Sequence, residues 1–272
     1  MRNFRNKTAY IIGGSSGIGL SAAKLLASKG SNIVIFARTK KRLEEAVEEI
    51  SSTKKHAPQK VAYYQLDVAD PKVVKRVMKK AVQEYGAPDL LINCAGRAYP
   101  YKFEDISFEQ FDETMKINMY GIWNVCSELV PHMKEKGGTI VNTSSMCGFL
   151  GVFGYTDYSA SKFAVVGFSE ALRSEMKQHN IDVLVLCPPD TDTPGYQVEN
   201  TTKPEETKKI SAGARIMTSD DVALSMMNGI KKGKFMIVPG FDGKLSFIVK
   251  RLFPWLVEMV MDSDIKKVQK GE

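Results

Sequence analysis

The sequence has few of the residues on which metal centres and disulfide frameworks depend. Its 272 residues include only four cysteines and three histidines. The cysteines are Cys94, Cys126, Cys147 and Cys187; they form no C-x-x-C pair, and no histidine stands at metal-ligand spacing from them. The pattern predicts no metal site and indicates free thiols in a reducing compartment.

The sequence also lacks an uninterrupted run of the about 20 apolar residues that a membrane-spanning helix requires. The apolar C-terminal segment, residues 245–261, is broken by Lys250, Arg251, Pro254 and Glu258. This segment predicts a helix in a membrane interface, a subunit contact or a flap over the substrate. The N-terminus is polar, with no signal peptide or anchor, so we expect a cytoplasmic protein with peripheral membrane contact as one option.

Positive charge is spread along the sequence, with only small clusters such as Lys40–Arg42 and Lys266–Lys267. The formal net charge is +7, and the lysines are spread along the chain. A diffuse excess is typical of solvated faces, whereas only concentrated patches make a strong local field. No basic stripe alternates with aromatic residues, which excludes nucleic acid as the expected partner. An anionic cofactor or membrane surface remains compatible with this charge.

Short apolar runs alternate with amphipathic stretches over the first two thirds of the chain. Strands are predicted at residues 8–12, 32–37, 61–66, 90–92, 139–143 and 182–186, with a last strand within 231–238. Helices are predicted at residues 17–28, 40–52, 71–85, 107–133 and 157–178. Repeated strand–helix alternation predicts an α/β fold: one domain over residues 1–272, with a Rossmann-type doubly wound parallel sheet of about seven strands and helices on both faces.

Residues 191–214 interrupt this alternation. The segment is rich in Thr, Lys, Glu and Pro and follows a predicted strand. Long loops in compact domains are often functional, and open α/β sheets bind ligands beyond the carboxyl ends of their strands. We therefore expect a substrate lid here.

A glycine-rich run, Gly13-Gly14-Ser15-Ser16-Gly17-Ile18-Gly19, joins the first strand to the first helix. Glycines allow close backbone approach, and a helix N-terminus presents free N–H groups and a positive dipole end to phosphate. Between a strand and a helix, this run predicts a dinucleotide-phosphate site, with a purely structural turn as the alternative.

The end of the second predicted strand indicates which dinucleotide binds. A site for NAD needs a carboxylate there, but this chain has Ala37 followed by Arg38, with Lys41 and Arg42 nearby. A guanidinium attracts a 2′-phosphate and can bind it through two hydrogen bonds. The cluster predicts NADP(H); the alternative is a solvated helix start.

Tyr158 and Lys162 are the candidate proton-transfer pair. Residues four apart share one helix face, and an ammonium beside a phenol lowers the phenol pKa towards neutrality. Ser145 follows the fifth predicted strand, where its hydroxyl could stabilise a developing oxyanion. Asn118 stands inside a predicted helix, which it disfavours, so it has either a specific role or a bond to backbone at a kink.

Together these motifs resemble the short-chain dehydrogenase/reductase family over nearly the whole chain. The resemblance assigns cofactor contacts to Gly13, Ser15, Ser16, Gly17, Ile18, Gly19, Asp67, Val68, Asn93, Ala95, Gly96, Tyr158, Lys162, Pro188, Thr191 and Thr193, and catalysis to Asn118, Ser145, Tyr158 and Lys162. It implies NADPH-dependent ketone reduction, a ribose contact by Lys162, a relay water held by Asn118, and a homodimer or homotetramer. Ile12 and Cys94 depart from the family's usual Thr and Asn.

The run Pro188-Pro189-Asp190-Thr191-Asp192-Thr193-Pro194-Gly195, with residues 199–200 and 203–207 after it, resembles the 3-ketodihydrosphingosine reductase subfamily. Its eukaryotic members reside in the endoplasmic reticulum, whose cytosolic face would then be the site of membrane contact. Such enzymes reduce a long-chain 2-amino ketone, so our hypothesis is that Asp190 or Asp192, acids near the reaction centre like Asp157, pairs with the substrate ammonium. Turn-capping aspartates are the alternative.

Two other functions are compatible with the sequence. The first is a reductase of the same family that acts on 3-oxoacyl carriers, steroids or small carbonyls. The second is a sensor that binds NADPH without catalysis. Only the lid and residues 188–195 argue against the first, and the intact set of four catalytic residues argues against the second.

Overall fold

A computed structural model describes residues 3–271, and its centre is one parallel sheet of seven strands in the order β3-β2-β1-β4-β5-β6-β9. These strands are β1 (Thr8–Ile12), β2 (Asn32–Ala37), β3 (Val61–Gln65), β4 (Leu90–Asn93), β5 (Gly138–Thr143), β6 (Ile181–Leu186) and β9 (Met236–Ile237). A separate parallel pair joins β7 (Thr191–Asp192) to β8 (Met217–Thr218). The predicted doubly wound sheet is confirmed.

Helices cover both faces of this sheet. They are α1 (Gly17–Ser28), α2 (Lys40–Ser52), α3 (Pro71–Tyr85), α4 (Phe108–Met115), α5 (Gly121–Met133), α6 (Thr156–Met176), α7 (Pro194–Asn200), α8 (Glu205–Ser211), α9 (Ser219–Lys232), α10 (Phe241–Leu252) and α11 (Pro254–Lys270). In β1, Ala9 and Ile11 pack with α1, α2 and α9, whereas Tyr10 and Ile12 pack with α3, α5 and α6. Burial on both faces explains why the strands are apolar throughout.

The strand order reverses between β1 and β4, both of which pair in parallel. At such a reversal the following connections run to opposite faces of the sheet, which leaves a crevice beyond the carboxyl ends of the strands. The candidate residues of the glycine run and of β4, β5 and β6 all follow strand ends at this edge.

Three predicted elements differ from the structure. The helix over 107–133 is divided by a π-helical turn at Lys116–Tyr120. Residues 191–214 contain two short helices, α7 and α8, where we predicted only a loop. The last strand is limited to Met236–Ile237 because Lys231 and Lys232 complete α9, a helix that the prediction omitted although Thr218 caps it by accepting from the N–H of Asp221.

The C-terminal apolar segment forms α10 and α11, which pack against each other, and α11 also packs against α8. Pro254 stands at the first turn of α11, where its missing N–H costs no hydrogen bond. Among the described residues, 3–271, no helix has both the length and the apolar character to cross a membrane.

Candidate active site

A cavity of about 580 Å³ lies at the carboxyl edge of the sheet. Ser145, Tyr158 and Lys162, which the sequence predicts as catalytic residues, all line it. Ser145 follows β5, whereas Tyr158 and Lys162 lie one turn apart near the start of α6. The fold thus brings the predicted hydroxyl, phenol and ammonium groups to one wall.

Tyr158 is held in this wall as a neutral phenol. Burial raises its pKa well above 10, the nearby Cys147, Glu199 and Asp190 raise it further, and a hydrogen bond with the Ser145 side chain acts in the opposite direction. The sequence predicts that Lys162 lowers this pKa; the protein's own groups instead raise it, because burial disfavours the phenolate. A neutral phenol is the form that can donate a proton to a substrate oxygen.

Lys162 is buried, with 3% of its surface exposed. Its Nζ donates a hydrogen bond of 3.0 Å to the carbonyl oxygen of Thr143 at the end of β5, and it lies 5.5 Å from the centroid of the Tyr158 ring. Ser144 Oγ donates to the carbonyl of Lys162, which fixes the backbone as well. Burial lowers the pKa of Lys162 to about 8, so its charge depends on pH near neutrality.

Asn118 is fully buried in the π-helical turn and does not line the cavity. Its Nδ2 donates to the carbonyl of Arg97 and to Ser161 Oγ, each at 3.0 Å, and its Oδ1 accepts from the N–H of Arg97 at 2.9 Å. Single π turns inside helices occur often at functional sites. The side chain therefore clamps the loop after β4 to α6. A relay water held by Asn118 stays a prediction.

Ser161 is a site residue that sequence reasoning missed, because it appeared only as a spacer between Tyr158 and Lys162. Its Oγ accepts from Asn118 and donates to the carbonyl of Tyr158 at 2.7 Å. A methyl group at Gly96 would lie 3.2 Å from Asn118 Oδ1 and 3.4 Å from Lys162 Nζ, so glycine leaves open the space between those two groups.

Asp157 is next to Tyr158 in the chain, but its side chain does not line the cavity. Its carboxylate accepts from the N–H of Tyr158 at 2.7 Å and from Thr114 Oγ1 at 2.8 Å. The Asp157 side chain thus holds the first turn of α6 to α4, and the structure does not bring it to the substrate wall.

The glycine run forms a cradle that fits a dinucleotide. Gly13 has φ +78°, and a Cβ there would lie 2.7 Å from the backbone N of Ala95; a Cβ on Gly19 would lie 2.3 Å from the carbonyl oxygen of Gly13. Ser16 precedes α1 without capping it through its side chain, so the first N–H groups of α1 remain available to phosphate. Ser15 lies within this run, and Ile18 reaches the cavity wall.

The predicted cofactor residues of β2 and β3 lie beside this cradle. Arg38, Lys41 and Arg42 are exposed at the end of β2 and the start of α2. Asp67 is exposed after β3, where one carboxylate oxygen accepts from the N–H of Ala69, and Val68 is buried against Gly121. Three cations beyond the β2 end can attract an anionic group there.

Asn93 serves a different purpose from its neighbours Ala95 and Gly96. It is buried in β4, and its Nδ2 donates to Asn142 Oδ1 of β5 at 2.8 Å. Asn142 in turn donates to Ser169 on α6. Asn93 therefore ties the sheet to the helix that carries Tyr158, and the loop after it, not its side chain, borders the cradle.

The two departures from the family pattern leave the loop geometry intact. Backbone bonds hold the turn at Ile12, whose carbonyl accepts from the N–H of Cys94, while the N–H of Gly13 donates to Phe36. Cys94 Sγ lies 3.2 Å from Thr143 Oγ1, and burial raises the pKa of this thiol to about 11. Cys94 is therefore neutral near Lys162.

Residues of the segment after β6 also line the cavity. Pro188, Asp190, Thr191 and Thr193 line it, whereas Asp192 is exposed and does not. Thr193 Oγ1 caps α7, and a Cβ on Gly17 would lie 2.9 Å from its methyl carbon, which brings this segment against the glycine cradle. Of the two aspartates proposed to meet the substrate, only Asp190 is in position.

Sequence reasoning missed a buried charged cluster in the same wall. Lys203 Nζ lies 3.1 Å from Asp190 Oδ2 and 3.2 Å from Glu199 Oε1, and it stands 4.4 Å from the centroid of the Tyr196 ring. The Tyr155 hydroxyl donates a short hydrogen bond to Glu199. Glu199 and Lys203 are four residues apart, but Lys203 lies beyond the end of α7, and the segment that carries both was predicted to be a loop.

The apolar C-terminal segment supplies the remaining wall. The residues of α10 and α11 that line the cavity are Leu245, Val249, Leu256, Val257, Val260 and Met261. On α10, Phe247 packs edge-on against Phe149, with ring centroids 5.1 Å apart. Of the three predicted uses of this segment, the flap over the substrate site matches the position of these residues.

Comparisons with known proteins agree with this geometry. The sequence profile described as "short chain dehydrogenase" matches residues 7–204. The chain is 39% identical over 260 residues to a 3-ketodihydrosphingosine reductase of Dictyostelium discoideum, covering 90% of this chain and 78% of that one. It is 40% identical over 235 residues to proteins of Bos taurus, named 3-ketodihydrosphingosine reductase, and Danio rerio, named 3-dehydrosphinganine reductase, covering 86% of this chain and 71% of each.

Solved structures share the fold. The L-sorbose reductase of Gluconobacter frateurii, solved with NADPH and L-sorbose, superposes with a TM-score of 0.77 at 24% identity, covering 88% of this chain and 97% of that one. A short-chain dehydrogenase/reductase of Burkholderia phymatum, solved with NAD, gives the same TM-score and identity over 88% and 90%. With the profile match and the relatives at about 40% identity, this chain belongs to the short-chain dehydrogenase family of oxidoreductases, which act on alcohols and ketones with a nicotinamide cofactor.

Proposed function

We propose that this protein reduces the keto group of 3-ketodihydrosphingosine, a long-chain 2-amino ketone, with NADPH as the cofactor. The observation that carries the proposal is the composition of one cavity, which is lined both by Tyr158 and Ser145 and by the six apolar residues of α10 and α11. A long-chain ketone needs a proton donor for its carbonyl oxygen and an apolar surface for its alkyl tail. The relatives named for this substrate match most of the chain and support the same assignment.

The polar residues of the cavity wall suit proton transfer to a ketone oxygen. The bound cofactor supplies hydride. In this proposal Tyr158, neutral because it is buried, donates its proton to the substrate oxygen, and Ser145 donates a hydrogen bond to the same oxygen as negative charge develops. Lys162, held by Thr143, places positive charge beside Tyr158 and favours the phenolate that results.

The choice of NADPH rests on the exposed cations beyond β2. Arg38 stands where an NAD site needs a carboxylate, and Lys41 and Arg42 follow in the first turn of α2. A guanidinium favours the 2′-phosphate that distinguishes the two dinucleotides. The glycine cradle and the free N-terminus of α1 would hold the phosphates that both dinucleotides share.

The apolar residues of the cavity wall suit an alkyl tail. Burying a CH₂ group contributes about 0.8 kcal/mol, so a long chain binds far more tightly against such a wall than in water. We assign the lid role to residues 191–214, because α8 of this segment packs on α11 and Thr193, Tyr196 and Glu199 line the cavity. A reductase of small carbonyls would not need the α10–α11 wall.

We further propose that the outer side of α10 and α11 contacts an anionic membrane surface, from which a lipid substrate would enter. The exposed apolar residues of this segment that do not line the cavity include Ile248, Leu252, Phe253, Trp255 and Met259. Trp255 and Met259 border a shallow groove with Lys266, Lys267 and Lys270, which offset the acids Glu258 and Asp262. Apolar side chains beside lysines are typical of helices that lie in a membrane interface.

The decisive experiment compares substrates. Purified protein is given NADPH with 3-ketodihydrosphingosine and, separately, with an acetoacetyl thioester, and NADPH consumption is followed by absorbance. We expect a higher kcat/KM for 3-ketodihydrosphingosine. A clear preference for the thioester would assign the protein to the reductases of 3-oxoacyl carriers, and failure to consume NADPH with either substrate or with other ketones would contradict both.

A further inference from the structure

The charged cluster of Tyr155, Asp190, Glu199 and Lys203 has no part in the proton and hydride chemistry described above. Its groups are held in fixed positions: the Lys203 side chain is 3% exposed, and both carboxylates contact its Nζ within 3.2 Å. When both carboxylates are ionised, one ammonium faces two negative charges, and the cluster has a net negative charge. Burial raises the pKa of Glu199 because it disfavours the charged form, while the hydrogen bond from Tyr155 and the charge of Lys203 act in the opposite direction.

The two carboxylates of the cluster lie in the wall of the cavity that contains Tyr158. Asp190, Glu199 and Tyr155 line the same cavity as Tyr158, whereas Lys203 does not border it and lies behind them. The rings of Tyr155 and Tyr158 have centroids 5.6 Å apart. Both carboxylates raise the pKa of Tyr158, so their field reaches its hydroxyl.

From this arrangement we infer that Glu199 and Asp190 form the subsite for the ammonium group next to the substrate ketone, with Tyr155 fixing Glu199 and Lys203 orienting both carboxylates from behind. This inference rests on the proposed function and specifies how the amine is recognised. An ammonium placed here completes the neutralisation of the cluster, and it lies beside Tyr158, as a 2-amino group must when the 3-keto oxygen meets that hydroxyl. A ketone without the amine leaves the negative charge uncompensated.

The competing explanation is that the cluster is only a clamp. Lys203 joins the segment after α7 to Asp190, which follows β6, and so could hold the lid against the sheet without contacting substrate. A clamp and an ammonium subsite differ in one measurable respect. Loss of a clamp lowers activity towards every ketone alike, whereas loss of the subsite lowers activity selectively towards ketones that carry the amine.

The test measures kcat/KM for 3-ketodihydrosphingosine and for its analogue of the same chain length with hydrogen in place of the amine. The variants are Glu199→Gln and Asp190→Asn, which remove charge with little change of shape. The matched control is Glu205→Gln, an exposed glutamate of α8 that pairs with Lys208 outside the cavity. Thermal unfolding and NADPH fluorescence verify that each variant folds and binds cofactor.

We expect the wild-type ratio of the two kcat/KM values to favour the amine, and to fall by about 10- to 100-fold in Glu199→Gln, the range expected for a lost hydrogen bond to a charged group. Asp190→Asn should lower the ratio in the same direction and serves as the test if Glu199→Gln does not fold. Equal losses on both substrates would overturn the inference in favour of a clamp. A wild-type protein that reduces neither substrate would instead overturn the proposed function.

Discussion

The Nζ atom of Lys162 lies 5.5 Å from the centroid of the Tyr158 ring, one helical turn along α6, and its hydrogen bond to Thr143 holds it there. Burial acts on both groups, but with opposite signs. It raises the pKa of Tyr158 well above 10 and lowers that of Lys162 to about 8. Near neutral pH the pair therefore consists of a phenol and an ammonium, the forms needed to donate a proton and to stabilise the phenolate left behind.

The first prediction concerns pH. Lys162 loses its proton as pH rises through about 8, whereas Tyr158 keeps its own, so kcat/KM for ketone reduction should fall above pH 8. Arginine keeps its charge to above pH 12, so Lys162→Arg, where it retains activity, should remove this descending limb. The measurement is the pH profile of kcat/KM between pH 6 and about 10, a range that brackets the Lys162 pKa of about 8 and stays below the unperturbed lysine value of about 10.4. A wild-type profile that stays level through this range would contradict the assignment.

The second prediction concerns Tyr158 itself. Tyr158→Phe removes the proton donor while keeping the ring, and general acid catalysis typically contributes about 10²- to 10⁴-fold, so kcat should fall by that amount. NADPH binding, followed by fluorescence, should persist. Tyr120→Phe is the control, because it removes the same hydroxyl from a ring that is about half exposed and does not line the cavity. Undiminished kcat in Tyr158→Phe would require another proton donor.

The strands of the sheet could be predicted because burial on both faces leaves a local apolar pattern in the sequence. Strands buried on both faces must be apolar throughout, and each of the first six was recognised within about a residue of its ends, the usual uncertainty of element boundaries. The strand Met236–Ile237 was overestimated because two residues of sheet pairing leave almost no pattern. The helices α7 and α8 were missed because helices of seven residues contain too few turns to show apolar periodicity.

Some residues of the candidate site could likewise be predicted from the sequence, and others could not. Tyr158, Lys162, Ser145 and the glycine run follow from motif spacing, and the structure places them where that spacing requires. The contacts of Glu199 with Tyr155 could not be predicted, because 44 residues separate them and only the folding of a polar segment across the cavity brings them together. Similarly, the pattern of residues 245–261 identifies an amphipathic segment without identifying what its apolar side covers.

The third prediction concerns cofactor choice. Wild-type kcat/KM should be much higher with NADPH than with NADH. Replacing the exposed guanidinium in Arg38→Ala should reduce the NADPH-to-NADH ratio by about 10- to 100-fold, because hydrogen bonds to charged groups are worth that much. Lys55→Ala removes an exposed cation at a distance from the end of β2 and is the control. If the ratio in Arg38→Ala matched the wild type, the 2′-phosphate would have to be bound elsewhere.

The fourth prediction concerns the outer side of α10 and α11. The chain has two tryptophans, Trp123 on α5 and Trp255 on α11, so Trp123→Phe leaves Trp255 as the single reporter. Its fluorescence should shift to shorter wavelength with vesicles that contain phosphatidylserine, and less at high salt, which screens the lysines nearby. Vesicles of phosphatidylcholine alone are the control. An emission maximum that does not change with anionic vesicles would exclude membrane contact at Trp255.

The last prediction separates the inner from the outer side of α11. Leu256 lines the cavity, whereas Met259, three residues further, is about half exposed and does not. Because a buried CH₂ group contributes about 0.8 kcal/mol, or about fourfold in affinity, Leu256→Ala should lower kcat/KM for 3-ketodihydrosphingosine by at least about fourfold. The same variant should leave a short-chain analogue with the same head group nearly unaffected, since such a chain ends before the α10–α11 wall.

Met259→Ala, tested in detergent micelles without vesicles, is the matched control and should behave as the wild type with both substrates. The argument depends on chain length and not on overall activity, so a general defect in folding cannot imitate it. Equal losses of kcat/KM on the long and short substrates in Leu256→Ala would mean that the tail lies elsewhere. The apolar wall of α10 and α11 would then have to be explained by a contact other than the alkyl chain.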